Sequence, residues 1–382
     1  MHFRTRALAY VGAGAAGLFA TGLFAAPALA ADEADVLVKP LSTKIAVDAG
    51  MKFFRFDFKN EGPGVATDTT LTFDLSGLDP NVVDFNPEEI GDEDVKLVKA
   101  TEDEIVIEIG DGAPGETLPV ALPIVLKDDA ETGPAGSFKV SIKSSAPDPD
   151  ESNNSATIPV EVVESGPDLT TIAYDVRAED GEPVEPGATA PFFWSVANEG
   201  DQTVKGVALQ ITLPKHVTFV EDYPACTTTP DRRILTCENP GIEMEPGYGI
   251  EETIPVKVSA DAPGPVTLSG GLLKAVGTSV IQPELARGAK AAKILGSFEV
   301  APIDEESPAD VDPADNTAEF AVFVGGTGGG GGGGGDLPVT GVQAGLIGGV
   351  GLAVLAGGGA LLVMSRRRKV VLVTPGDETP TA

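Results

Sequence analysis

From residue 53 the chain reads FFRFDFKNEG, with Phe54, Phe56 and Phe58 at every second position and Arg55, Asp57 and Lys59 between them. A period of two predicts a strand that turns one face to a core and the other to water. The same alternation runs through FFWSVANEG (192 to 200), through Leu71, Phe73 and Leu75, and through Leu209, Ile211 and Leu213. Gly, Pro, Asn and Asp punctuate these runs, which predicts short antiparallel strands stacked as a sandwich.

The pattern occurs twice. A shift of 138 residues lays Phe54, Phe56 and Phe58 on Phe192, Trp194 and Val196, brings the two Asn-Glu-Gly words together, and carries Leu71, Phe73 and Leu75 onto Leu209, Ile211 and Leu213. PGETLPVALPIVL (114 to 126) matches PGYGIEETIPVKV (246 to 258) at a shift of 132, and DPDESNNSATIPVEV (148 to 162) matches DVDPADNTAEFAVFV (310 to 324). Motifs repeated in the same order predict two homologous domains, 33–165 and 167–324. The expected fold class is therefore all-β: two tandem antiparallel β-sandwiches. The second copy carries extra residues near 271–303, including the alanine-rich ELARGAKAAKILG with Arg287, Lys290 and Lys293. These read as a surface insertion.

Charge then narrows the partners. The chain has 58 Asp and Glu against 26 Lys and Arg, a formal net charge of -32. Such a polyanion repels nucleic acid, whose binding depends on Lys and Arg neutralising phosphates. Acidic side chains also protect sheet edges from pairing with other chains.

The two ends suggest export and anchoring. Arg4 and Arg6, an apolar stretch from about residue 7 to 26, and Ala28-Leu29-Ala30 have the layout of a cleavable signal peptide over 1–30. In an oxidising location Cys226 and Cys237, the only two cysteines, read as one local disulfide. Residues 325–336 form a Gly-rich linker that behaves as a coil about 17 to 21 Å end to end. It is followed by LPVTG, residues 337–341, and then by 23 uncharged residues, 342–364. As a transmembrane helix that stretch is about 34 Å long, enough to cross a hydrocarbon core. Arg366, Arg367, Arg368 and Lys369 stop transfer and place the tail, 365–382, in the cytosol.

The contiguous order of Leu-Pro-x-Thr-Gly, apolar span and basic cluster resembles the cell-wall sorting signal of Gram-positive surface proteins. That resemblance implies cleavage between Thr340 and Gly341 by a membrane transpeptidase, a sortase. The Thr340 carbonyl would pass through a thioester to an amine of the peptidoglycan precursor. Leu337 and Pro338 would shape the recognised segment, Val339 would be the tolerant position, and the protein would finish in the cell wall, on the extracellular face, after a membrane-inserted stage. At VANEG, ITLPKHVTFV, CTTTPDRRILTC and MEPGYG the second copy also resembles a repeat domain common in bacterial surface proteins, which implies an immunoglobulin-like module without catalytic residues. The tail VVLVTPGDETPTA is longer than that signal usually has, which keeps a permanent membrane anchor as the alternative.

Catalytic candidates are few. With His2 in the signal, His216 is the sole histidine left, in LPKHVTF, and no GxSxG word accompanies it. A surface hydrolase built on His216 is the remaining enzymatic reading; the main expectation is no enzyme and no cofactor. Two thiolates alone make an incomplete metal shell. DPDES and DVDPAD place acids at every second residue before the last strand of each copy, which suggests calcium ligands or, more plainly, solvated acidic turns. Lys39 or Lys44 near the start of copy one and Asn153 or Asn154 near its end also make an internal Lys–Asn amide conceivable.

Overall fold

The computed structural model describes residues 33–85, 96–224, 226–277 and 310–326. The signal peptide, most of the insertion, most of the linker, the LPVTG word, the apolar span and the basic cluster lie outside the described residues.

The protein is all-β. The first copy contributes β1 (Val36–Pro40), β2 (Lys44–Ala46), β3 (Met51–Asn60), β4 (Ala66–Asp74), β5 (Val83–Asp84), β6 (Lys96–Ala100), β7 (Glu104–Gly112), β8 (Thr117–Leu126), β9 (Gly133–Lys143) and β10 (Ser155–Val163). These form two sheets, ordered β1-β3-β8-β5 and β2-β10-β9-β4-β7-β6. The second copy contributes β11 (Leu169–Ala173), β12 (Thr189–Asn198), β13 (Val204–Thr212), β14 (Val217–Phe219), β15 (Cys226–Thr228), β16 (Ile234–Met244), β17 (Gly249–Val258), β18 (Val266–Gly277) and β19 (Thr317–Val324). Its sheets run β11-β12-β17-β14 and β15-β16-β13-β18-β19.

Replacing each strand of one copy by its counterpart in the other reproduces the same order in both sheets. β3 and β12 start 138 residues apart, as do β4 and β13, so the repeat in sequence is a repeat in topology. The first copy adds β2, which pairs parallel with β10; among the described residues the other strand pairs are antiparallel, apart from single parallel bridges at Val176–Val322 and Val184–Val324. Gly271–Gly277 continues β18, so the extra residues of the second copy begin beyond Gly277.

Each sandwich encloses its own core. In the first, Phe54, Phe56, Phe73 and Phe138 pack with ring centroids 5.8 to 6.1 Å apart, close to edge-on for the Phe138 pairs. In the second, Phe192 stacks on Phe320 at 4.2 Å, beside Trp194 and Val196. The alternation placed Phe54, Phe56 and Phe58 inside, and they are buried. It also placed Arg55 and Asp57 in water, and there the structure differs: they are 1% and 2% exposed. The second sandwich covers that face, so β3 is buried on both sides.

Candidate functional site

The Asn-Glu-Gly corners tie the start of each sandwich to its neighbouring turns. Asn60 Oδ1 accepts from the Asp35 and Gly62 N–H groups, and its Nδ2 donates to the carbonyls of Gly64 and Gly112. Asn198 repeats this, accepting from Asp168 and Gly200 and donating to Gln202 and Met244. A side chain on either corner glycine would strike backbone, at 2.4 Å from Asp35 N for Gly62 and 2.2 Å from Gly166 O for Gly200. Asp148 accepts from the Val36 N–H at 3.1 Å, and its counterpart Asp310 from Leu169 at 2.9 Å. One scaffold therefore holds the start of each sandwich against its last loop.

The copies differ at one place on this scaffold. In the first, Asn153 Nδ2 donates to Asp35 Oδ1 at 2.9 Å. In the second, the counterpart of Asp35 is Asp168 and the counterpart of Asn153 is Asp315, so two carboxyls stand where an amide and a carboxylate stood. Lys52 of the first sandwich enters this gap. Its Nζ lies 2.6 Å from Asp168 Oδ2, 2.8 Å from Asp315 Oδ2 and 3.5 Å from Asp312 Oδ2. The Lys52, Asp168 and Asp315 side chains are fully buried. Ser42 Oγ donates to Asp315 at 2.8 Å, and the N–H groups of Thr43 and Lys44 donate to Asp312 at 2.6 and 2.9 Å. Asp168 Oδ1 and Asp315 Oδ1 are buried without a partner among the described residues.

Electrostatics in this pocket are dominated by burial. Desolvation opposes the Lys52 charge, yet Asp315, Asp168 and Asp312 together hold its pKa well above the usual lysine value. Burial raises Asp168 well above the carboxylate range, and raises Asp315 to about 6 despite Lys52. Glu199, which accepts from Thr170 Oγ1 at 3.1 Å, is pushed by burial to about 7. One ammonium among this many carboxyls leaves negative charge in excess, and protonation is how a dry site sheds it.

Further contacts extend the junction. Glu319 on β19 pairs with Lys39 at 2.8 Å and with Lys59; burial opposes its charge, but hydrogen bonds from these lysines bring its pKa down to about 2. Asp175 accepts from the Thr117 N–H across the junction at 2.7 Å and from the Ala321 N–H at 2.6 Å, and burial raises it to about 7. Arg177 lies over the Phe323 ring at 3.7 Å and pairs with Glu116 at 3.2 Å. Thr267 Oγ1 donates to the Pro114 carbonyl at 2.7 Å. An open cleft of about 310 Å³ borders the same junction, with Met51 and Phe53 on one side and Ser195, Glu199, Tyr248 and Glu251 on the other.

Residues singled out in the sequence have varied fates. Cys226 and Cys237 are joined by a disulfide between directly opposed positions of β15 and β16. His216 Nδ1 lies 3.8 Å from Asp261, whose carboxylate accepts from the Ser259 hydroxyl. The acidic turns are not solvated at 310–315: Asp310, Asp312 and Asp315 accept from backbone, serine and lysine donors, and no group of three or more metal-ligating side chains is arranged around an ion among the described residues. Of the Lys–Asn candidates in copy one, Asn153 bonds Asp35, Asn154 bonds Asp148 and Lys39 reaches Glu319. The residues of LPVTG, Leu337 to Gly341, and Arg366 to Lys369 lie outside the described residues.

No family profile matches the sequence, and neither does any curated protein. Among solved structures, a protein of Corynebacterium diphtheriae described as membrane anchored aligns over 75% of this chain and 58% of its own, at 8% identity and a TM-score of 0.22. Alpha-2-macroglobulin of Escherichia coli in its native conformation aligns over 77% of this chain and 17% of its own, at 12% identity and a TM-score of 0.25. Its trypsin-activated form gives 14% identity, 18% of that chain and a TM-score of 0.27. This chain thus spans less than two thirds of the length of each of these neighbours, and likenesses this distant carry no functional argument.

Proposed function

We propose that this is a sortase-substrate surface protein, covalently attached to peptidoglycan through Thr340, which displays two non-catalytic sandwich domains in a structural or adhesive role. The observation that carries the reading is the order of sequence features near the C-terminus: a glycine run, LPVTG, an uncharged apolar stretch of 23 residues, and RRRK. Proline after Leu337 keeps the recognised segment extended, as a protease-like cleft requires. The apolar span tethers the motif beside a membrane enzyme and raises its effective concentration there. The glycine run gives that enzyme room below the folded part. The partners are then the sortase and an amine of the peptidoglycan precursor, with the membrane as a transient host and no nucleic acid.

The contacts of Lys52 with Asp168 and Asp315 and of Lys39 with Glu319, which join the two sandwiches, support their display as a pair. The test is to fractionate wall from membrane in cells making the wild type and Thr340→Ala. Wall-bound protein that falls back to the membrane in the variant is the expected result; equal membrane association of both would instead support the second reading, a permanent anchor, which the long tail after Lys369 favours.

A further inference from the structure

We propose that the cleft beside the junction takes the side chain of a lysine on a partner polypeptide, its ammonium between Glu199 and Glu251 and its apolar stem against Met51, Phe53 and Tyr248. The cleft holds about 310 Å³, within the range of small-ligand sites. Both sandwiches build it. Met51 and Phe53 belong to the first half of β3, while Ser195 and Glu251 are directly opposed on β12 and β17. Glu199 belongs to the Asn-Glu-Gly corner, and Tyr248 to the Pro-Gly-Tyr-Gly turn that this corner holds. Gly247 N–H donates to the Asn198 carbonyl at 2.8 Å, and Asn198 N–H to the Tyr248 carbonyl at 2.9 Å. Small residues leave the room between these walls: Ala197 faces Gly249, where a Cβ would lie 2.8 Å from the Val196 carbonyl oxygen.

The lining selects the ligand. Among the described residues that line the cleft are two carboxyls and no lysine or arginine, so an anion is repelled. Glu199 accepts from Thr170 Oγ1 through Oε2 at 3.1 Å, which leaves Oε1 for a further donor. Burial raises its pKa to about 7 against the pull of Lys52 and Arg55, so a cation arriving beside it favours the charged form. An uncharged apolar ligand would cover these carboxyls without pairing them, which costs free energy. A bare cation would leave the apolar wall unused. Tyr248 is 54% exposed and offers a ring on which an ammonium or its methylene stem packs. Because the cleft is open, the rest of a partner chain stays outside while one side chain enters.

The internal repeat sets this site apart from the first copy. At the repeat shifts, Tyr248 corresponds to Glu116, Glu251 to Pro119 and Ala197 to Lys59. There Glu116 pairs with Arg177 and Lys59 with Glu319, so that surface is spent on the junction. The cleft thus gives the adhesive role proposed above a ligand, and rests on that reading only for where the ligand is met.

The test is saturation-transfer NMR on the full chain, first confirmed as folded by circular dichroism, with capped pentapeptides in which lysine or norleucine is flanked by glycines. Saturation should reach the lysine methylenes. Norleucine has the same four-carbon stem without the charge and should bind at least about tenfold more weakly, as the loss of a hydrogen bond between charged groups predicts. Glu199→Gln with Glu251→Gln should weaken the lysine peptide similarly, and Tyr248→Ala should reduce transfer to its methylenes. Glu102→Gln with Glu131→Gln, which removes equal charge from exposed turns of the first sandwich, should leave binding unchanged. Absent binding of the lysine peptide, or equal binding of the norleucine peptide, overturns the proposal. Equal weakening by the remote pair does so too, since attraction to a net charge of -32 would then suffice. Tighter binding of pentylamine than of the lysine peptide also overturns it, by making the ligand a free amine. The wild-type comparison stands even if a variant fails to fold, and it is independent of whether Thr340 is attached to the wall.

Discussion

Asn60 and Asn198 make the same four hydrogen bonds to backbone, 138 residues apart in the chain, and each ties the start of its sandwich to two neighbouring turns. Replacing Asn198 by Ala leaves two N–H groups and two carbonyls without that partner in a largely buried site. The expected loss is about 2 to 4 kcal/mol. Asn198→Asp should do no better, because the group that donated to Gln202 and Met244 becomes an acceptor facing two carbonyls. Urea unfolding of both variants checks this; a loss below about 1 kcal/mol would mean that waters replace the amide freely.

The glycines of the same corners are required for a different reason. A Cβ on Gly200 would lie 2.2 Å from Gly166 O and 2.6 Å from Asp168 N, both main-chain atoms that cannot swing aside. Gly200→Ala should therefore cost more than about 2 kcal/mol, as overpacking against fixed atoms does. Gly50→Ala is the control. Gly50 has φ of +76° but nothing within 4 Å of its Cβ position, so only the backbone strain of about 1 kcal/mol applies. Thermal melts of the two variants side by side separate the effects.

Sequence periodicity located the cores because burial of alternate residues is a local rule. Phe54, Phe56, Phe58 and their counterparts obey it, and the repeat in sequence is matched by a repeat of strand order in the structure. The junction follows no local rule. Arg55 and Asp57 have the polar spacing of a wet face and become buried only because a second domain lies over them. Lys52 sits in phase with the phenylalanines, where a lysine signals a strand end as readily as a buried cation. One signal was available: the aligned closing segments place Asp315 opposite Asn153, a charge where the other copy has an amide. Such a difference within a repeat marks a place where one copy does something the other does not.

The disulfide should matter mainly to the second sandwich. Cys226 and Cys237 are 11 residues apart and close a short hairpin on the edge of the β15-β16-β13-β18-β19 sheet. Closing a loop of this length contributes about 2 to 3 kcal/mol through the unfolded chain. Cys226→Ser with Cys237→Ser should lower the unfolding free energy by that amount, and reductant should do the same to the wild type. The first sandwich has no cysteine, so its hydrogen-exchange protection is expected to change less than that of β15 and β16.

Acidity should strengthen the junction. Glu199 and Asp175 have folded pKa values near 7 and Asp315 near 6, all raised by burial above the value of about 4 they have in an unfolded chain. Between those limits the folded protein holds protons that the unfolded chain has released. Their contribution is complete below about pH 4 and is lost as pH rises through 6 to 7. Glu319 works in the opposite sense: with its pKa lowered to about 2 by Lys39 and Lys59, its contribution is present above about pH 4.5 and disappears as pH falls toward 2. Stability should therefore peak near pH 4 to 5 and fall by a few kcal/mol toward pH 8. Relief of the overall repulsion of a chain with net charge -32 acts in the same direction, so Glu199→Gln is needed to isolate the local part. It keeps an acceptor for Thr170 without a carboxylate to desolvate. If urea midpoints at pH 5 and pH 8 differ as much in this variant as in the wild type, Glu199 is not a source of the effect; a smaller difference in the variant assigns a share of it to the junction.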